Sequence, residues 1–307
     1  MIAVPRDCAV TTLAAGRLSA GIAPGCGARL AFLQLRRGDE TIDLLRPASP
    51  EALAAGEAYG SSGFPLVPYS GPIFGGGFHW AGSFHPLARN YPGEPVATHG
   101  EGWISPWSVE TATVDRLTLR LDHRPAPGRF PFAYRALLDY SLDEAGLEVA
   151  LTLVNRDWRP MPAGFGFHPY FPRRPATRLT FDATGLWPPD APEAVGLPCG
   201  PLPPALDFAR GQPADETLID RCFEGWDGRA LIEQPDQGIA VELTADAAFG
   251  KLQIYSAWDY PYICVEPVSN ANDGFNRLAA GVPCHGVVAL DPGRRLAGRF
   301  RIALAAG

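Results

Sequence analysis

A chain of 307 residues, 46% hydrophobic and 19% charged, has ample material for a large buried core, as one big β domain or two smaller units. A formal net charge of -7 with no long Lys/Arg run excludes an electrostatic footprint for nucleic acid or an anionic membrane surface. No stretch reaches the length of a membrane span, and the start Met1-Ile2-Ala3-Val4-Pro5-Arg6-Asp7 lacks the basic and apolar segments of a signal peptide.

In chain order, Pro50 to Ala58 is the best helix candidate, weakened by Gly56. Between Phe64 and Gly102 lies a long Pro/Gly-rich loop region. Its run Gly75-Gly76-Gly77 leads into the strand-like Phe78-His79-Trp80, so it reads as a turn and not as a phosphate cradle before a helix. Arg116 to Leu121 alternates leucine with polar residues. Leu137 to Leu142 and Leu147 to Val154 flank Asp143-Glu144-Ala145-Gly146 and predict a hairpin. A second long loop spans Pro188 to Pro213. Ile239 to Thr244, Lys251 to Tyr255 and Arg299 to Leu304 repeat the strand pattern. Gly 34 and Pro 32 are spread along the chain, as turns between many short strands would require. The expected fold is all-β, a large antiparallel β-sandwich, with no linker and no fixed-period repeat to divide it.

The six cysteines, Cys8, Cys26, Cys199, Cys222, Cys264 and Cys284, are scattered without a Cys-x-x-Cys. The expectation is free thiols in a reduced, cytoplasmic protein, with Cys222 and Cys264 as small buried hydrophobes. The six histidines show no metal-ligand spacing, so no metal site is expected. No Gly-x-Ser-x-Gly elbow supplies a nucleophile.

Two residues stand out for chemistry. His168 sits in Gly164-Phe165-Gly166-Phe167-His168-Pro169-Tyr170-Phe171, where the glycines permit close approach and Pro169 biases His168 toward extended backbone. Glu266 lies between the apolar run Tyr262-Ile263-Cys264-Val265 and Pro267, a junction where partial desolvation raises a carboxyl pKa. Brought together, an imidazole and a carboxyl can share general acid and base work near neutral pH. Each also has an ordinary reading, as a strand-end histidine held by backbone and as a surface glutamate. The amide-rich tail Ser269 to Asn276 either binds hydroxyls or makes Asx turns. His99 lies beside Gly100 and near Trp103 and Trp107, aromatics that serve either as a sugar platform or as core. Asp220 either pairs with Arg221 or faces a cleft, and Gln253 points away from Leu252 and Ile254.

Together these segments resemble the aldose 1-epimerase (galactose mutarotase-like) family. The resemblance rests on an ordered set: Phe64-Pro65-Leu66-Val67-Pro68-Tyr69-Ser70; Asn90-Tyr91-Pro92-Gly93-Glu94-Pro95 with His99-Gly100; Gly166-Phe167-His168-Pro169-Tyr170-Phe171; and Val265-Glu266-Pro267 with its Asn-rich tail. Ile219-Asp220-Arg221-Cys222-Phe223 and Leu252-Gln253-Ile254-Tyr255 add two landmarks, so the match spans nearly the whole chain as one domain, 1–307. The resemblance implies a sandwich with a sugar-binding cleft and no cofactor. In it His168 would protonate the ring oxygen and Glu266 would take the anomeric proton, while His99, Asp220 and Gln253 hold the sugar hydroxyls. The family's Asn-Arg pair is replaced here by Gly71 and Pro72. A lost charged hydrogen bond, worth about 1.5–3 kcal/mol, would weaken sugar binding about tenfold or more unless a residue such as Arg89 or Arg173 compensates. The implied activity is interconversion of sugar anomers. The alternatives are a non-catalytic sugar-binding or regulatory protein and a sugar-phosphate mutarotase drawing on Arg173-Arg174. A glycosidase built on Asp220 and Glu266 leaves the setting of His168 unexplained. The particular sugar and the oligomeric state are not fixed by the sequence.

Overall fold

A computed structural model of the chain describes residues 8–214, 219–257 and 260–305. Residues 1–7, which bear on the leader expectation, and Leu218 beside the Ile219-Asp220 landmark lie outside the described residues.

Two antiparallel sheets dominate. The larger, of nine strands among the described residues, runs in the order Ser108–Ala112, Arg116–His123, Tyr134–Leu142, Gly146–Asn155, Arg295–Leu304, Ile239–Ala245, Arg229–Gln234, Arg178–Phe181 and Gln212–Pro213. The second is ordered Gly200–Pro201, Gly185–Leu186, Ile219–Glu224, Lys251–Ser256, Tyr262–Val268, Gly166–Phe167 and Pro65–Leu66, with Tyr170–Pro172 also paired to Tyr262–Val268. A four-stranded sheet, Thr11–Ala15 to Glu40–Asp43, completes the β framework at the N-terminal end. The chain is thus a large antiparallel β-sandwich.

Alternation explains why. Strand Tyr134–Leu142 buries every second residue from Tyr134 on, and its hairpin partner Gly146–Asn155 does the same from Leu147. The predicted hairpin is therefore present, with Leu142 opposite Leu147. Apolar faces of the two large sheets meet across the core: Phe167 packs on Phe300 with ring centroids 5.1 Å apart, and Phe181 packs on Phe223 at 4.9 Å.

The predicted helix is shorter than expected. It spans Pro50–Ala55 and stops at Gly56, which adopts φ 63 and returns its N–H to the carbonyls of Ala52 and Leu53. Gly75 and Gly76 form the expected turn, whereas Gly77 already opens strand Gly77–Trp80. The cysteine expectation needs correcting: Cys8 and Cys26 are joined by a disulfide, and only Cys199, Cys222, Cys264 and Cys284 are free. A chain of scattered free thiols no longer argues for a reducing compartment. Among the described residues, no helix is long and apolar enough to cross a membrane.

Candidate active site

The site is built on the face of the second sheet turned away from the sandwich core. Strand Tyr262–Val268 is buried on both faces. Ile263 and Val265 join the sandwich core, which leaves Cys264, Glu266 and Val268 on the other side. In the ladder Glu266 is opposite Gln253, and Gln253 is opposite Cys222; Cys264 is opposite Tyr255, and Tyr255 opposite Asp220. Partners in register share a face, so Glu266, Gln253 and Asp220 all reach the same cleft. Gln253 Nε2 donates to Asp220 Oδ1 at 2.8 Å.

His168 comes in from the short segment between strands Gly166–Phe167 and Tyr170–Pro172. Its backbone N–H donates to the Phe64 carbonyl at 2.9 Å. Its ring stacks on Tyr170 (centroids 4.7 Å) and leans on Phe64 (4.8 Å). Gly164 is needed upstream, because a Cβ there would lie 2.1 Å from Asn270 Oδ1. The result places His168 Nε2 3.3 Å from Glu266 Oε1, with His168 7% and Glu266 2% exposed. His99 adopts φ 61 and stands edge-on to His168, 5.6 Å between centroids. The Gly71 N–H donates to His99 Nδ1 at 3.1 Å, so the neutral His99 ring carries its proton on Nε2.

A cavity of about 490 Å³ joins these residues; Tyr59, Glu94, Tyr170, Asp190, Tyr255, Tyr260, Tyr262 and Asn272 also line it. Both long loops contribute: Ser70 to His99 form one side, and Asp190 comes from the other.

Burial sets the electrostatics. It pushes Glu266 well above the ordinary carboxyl range, helped by Asp220 and Asp190. It pushes His168 well below the ordinary imidazole range, helped by His99 and Arg46. Both directions disfavour the ion pair and favour one proton shared within a neutral pair. His99 is lowered to about 3 by burial and stays neutral. Asp220 is raised by burial, against the pull of Arg221 and Gln253. The His168, Cys264 and Glu266 ligand atoms lie within 4.8 Å of one another, a spacing that could hold a cation. Burial keeps the Cys264 thiol protonated, which opposes thiolate ligation.

All five expected site residues, His168, Glu266, His99, Asp220 and Gln253, line this one cavity. The tryptophans are core: Trp103 is fully buried, stacks on Phe64 at 5.0 Å and donates to the Thr98 and Gly100 carbonyls, and Trp107 is likewise buried. The aromatic wall is instead made of tyrosines. Arg89, Arg173 and Arg174 are not among the lining residues; Arg173 donates to Ser256 Oγ and Arg174 faces Asp236. The space beside Gly71 is filled by Asn272, whose Oδ1 lies 2.1 Å from where a Cβ would be. Asp190 and the Asn272 role were missed by sequence reasoning. Asp190 sits in a Pro-rich loop with no motif, and Asn272 reads as one turn-forming amide among several.

A family model described as aldose 1-epimerase matches residues 10–303. The uncharacterised protein YphB of Escherichia coli (strain K12) is 32% identical over 266 residues, 83% of this chain and 86% of that protein. A crystal structure from Escherichia coli K12, provisionally described as an aldose 1-epimerase, superposes with TM-score 0.83 at 28% identity over 97% of this chain and 99% of that one. Galactose 1-epimerase from Lactobacillus acidophilus NCFM shares the fold, with TM-score 0.75 at 18% identity over 97% and 94% of the two chains. The family match across nearly the full length agrees with the sandwich and with the ordered segments that build its cleft, and on that ground the chain belongs to the aldose 1-epimerase family.

Proposed function

We propose that the protein catalyses the interconversion of sugar anomers, with His168 and Glu266 as the proton-transfer pair. The observation that carries this reading is the 3.3 Å approach of His168 Nε2 to Glu266 Oε1 at the wall of a sugar-sized cavity. In the opening step His168 protonates the ring oxygen while Glu266 accepts the proton of the anomeric hydroxyl. The bond between C1 and the ring oxygen breaks, and the electron pair of the anomeric O–H becomes the aldehyde π bond. Rotation about C1–C2 presents the other carbonyl face. Closure runs the transfers backwards, so the pair returns to its starting protonation. Burial favours the neutral pair, and a sugar supplies what shifts it: a hydroxyl donating to Glu266 and a ring oxygen accepting from His168 stabilise the charged forms. His99, with its proton on Nε2, is a donor for the ring oxygen or a neighbouring hydroxyl. Asp220 and Gln253 hold and orient hydroxyls further along the wall. The chain's own acid and base suffice for this scheme.

Glu266→Gln keeps the size of the side chain and removes the base. Its expected effect is a loss of about 10²–10⁴-fold in the rate of anomer exchange, followed by NMR on a panel of free sugars, with the fold intact by melting. Full activity in this variant would overturn the assignment. A second reading, a sugar-binding protein without turnover, is favoured by Gly71 and Pro72, which offer a ligand no polar side chain. It would show calorimetric binding with no acceleration of exchange.

A further inference from the structure

The cavity's charge is one-sided. Its lining includes Glu94, Asp190, Asp220 and Glu266, and no lysine or arginine. Two of these acids are braced by a chain of amides. Asn272 Nδ2 donates to Asp190 Oδ2 at 2.7 Å and to Gln253 Oε1 at 3.2 Å, and Gln253 Nε2 donates to Asp220 Oδ1 at 2.8 Å. Each aspartate thus commits one oxygen to an amide, and its second oxygen has no hydrogen-bond partner among the described residues. Both residues are exposed toward the open side of the cavity, whereas Asn272 and Gln253 are 8% and 7% exposed and fixed. Asn272 occupies the space that Gly71 leaves free, and it anchors Asp190 from a loop 82 residues away in sequence. The enclosing cleft walls and the nearby Asp220 raise Asp190 to about 7 although part of its surface stays open to solvent, the behaviour of two acids that repel each other across a shared space. The same lining holds an unmatched group of another kind: His168 Nδ1 is buried and has no partner, on a side chain 7% exposed. The two free aspartate oxygens, on the wall of a cavity that offers them no cation, point to a ligand rich in donors.

We propose that Asp190, braced by Asn272, is a specificity-determining contact that makes the cleft select sugars bearing an amine, over neutral sugars, and turn away sugars bearing phosphate or carboxylate. The proposal rests on reading the cleft as a sugar site, but not on turnover there. An ammonium set between Asp190 and Asp220 donates to two free carboxylate oxygens and relieves their repulsion. A phosphate brought to the same wall meets like charge with no lining cation to offset it.

The test is calorimetric titration of the full-length protein near neutral pH with glucosamine, glucose, glucose 6-phosphate and glucuronate, with anomer exchange of each followed separately by NMR. Expected for the wild type is glucosamine about tenfold tighter than glucose, as one charge-assisted hydrogen bond gives, with the two anionic sugars at least tenfold weaker than glucose. Asp190→Asn should bring the glucosamine-to-glucose affinity ratio to near one, and Asn272→Ala should lower it in the same direction. Wild-type affinity for glucose 6-phosphate equal to or above that for glucose overturns the proposal, as does an unchanged ratio in Asp190→Asn. Absence of binding by all four sugars overturns it too. Binding with the expected order but no accelerated exchange would sink the catalytic reading alone. Accelerated exchange with no charge preference would sink this proposal alone.

Discussion

Asp273 begins helix Gly274–Ala279 with φ 54, a left-handed conformation that a short polar side chain tolerates. It is 2% exposed. Its Oδ1 accepts from the Phe74 N–H at 3.2 Å and from Asn276 Nδ2 at 2.8 Å, while Oδ2 is buried with no partner. Burial therefore raises its carboxyl from 3.8 to about 6, against the pull of those donors and of Arg277. The unfolded chain gives up this proton near pH 4 and the folded chain holds it to about pH 6. The contribution to stability is fully present below about pH 4 and is lost as pH rises through 6. The ionised form costs on the order of 3 kcal/mol. In urea melts, the wild type should lose about that much relative to Asp273→Asn between about pH 4 and pH 8, because the other buried acids are common to both proteins and cancel. A stability difference that does not change with pH would show that the proton is not held there.

At the scale of the element, helix Pro50–Ala55 is so short that its ends decide it. Ser49 caps it, its side chain accepting from the Ala52 N–H at 3.0 Å, and Pro50 sits where no N–H is needed. Ser49→Ala should lower stability by about 1 kcal/mol in chemical denaturation, and Ser49→Gly by only a few tenths. Equal losses in the two variants would mean that the serine acts through something other than the cap. The same element shows what is readable in a sequence and what is not. Its start at Pro50 agrees with the expectation, and its end falls short of the expected Ala58 because Gly56 is a left-handed stop and not merely a weak helix residue. Long strands were legible because period-2 burial persists over nine or ten residues, as in Tyr134–Leu142 and Gly146–Asn155. Two-residue strands such as Pro65–Leu66 and Pro72–Ile73 carry no period at all, yet Pro72 and its neighbours Ser70, Gly71 and Phe74 form part of the cleft wall. His168 and Glu266 could be picked out because stiff neighbours mark them locally. Asp190 could not, because its place beside Asn272 exists only after chain segments 82 residues apart have met.

For the whole molecule, the sandwich core depends on contacts between sequence-distant strands, and the N-terminal end adds a covalent tie. Cys8 precedes strand Thr11–Ala15, and Cys26 closes the short turn Pro24–Cys26 after strand Leu18–Ala23. Their disulfide spans a sequence separation of 18 with Cα atoms 5.2 Å apart, inside the range a bridge requires. Nothing in the spacing of the six cysteines announces this pair. Only the antiparallel turn of Thr11–Ala15 on Leu18–Ala23 brings the two ends of the segment back together. Closing a loop of this length restricts the unfolded chain and stabilises the native one by about 3 kcal/mol. Three outcomes should coincide. Under denaturing, non-reducing conditions four thiols should react with a thiol reagent, matching Cys199, Cys222, Cys264 and Cys284. Addition of reductant should lower Tm by roughly 3–8 °C. Cys8→Ser should melt at the reduced protein's temperature and be indifferent to reductant. Six reactive thiols together with a Tm that reductant does not move would show that the tie is absent in solution, and the N-terminal strands would then be held by their sheet pairing and buried leucines alone.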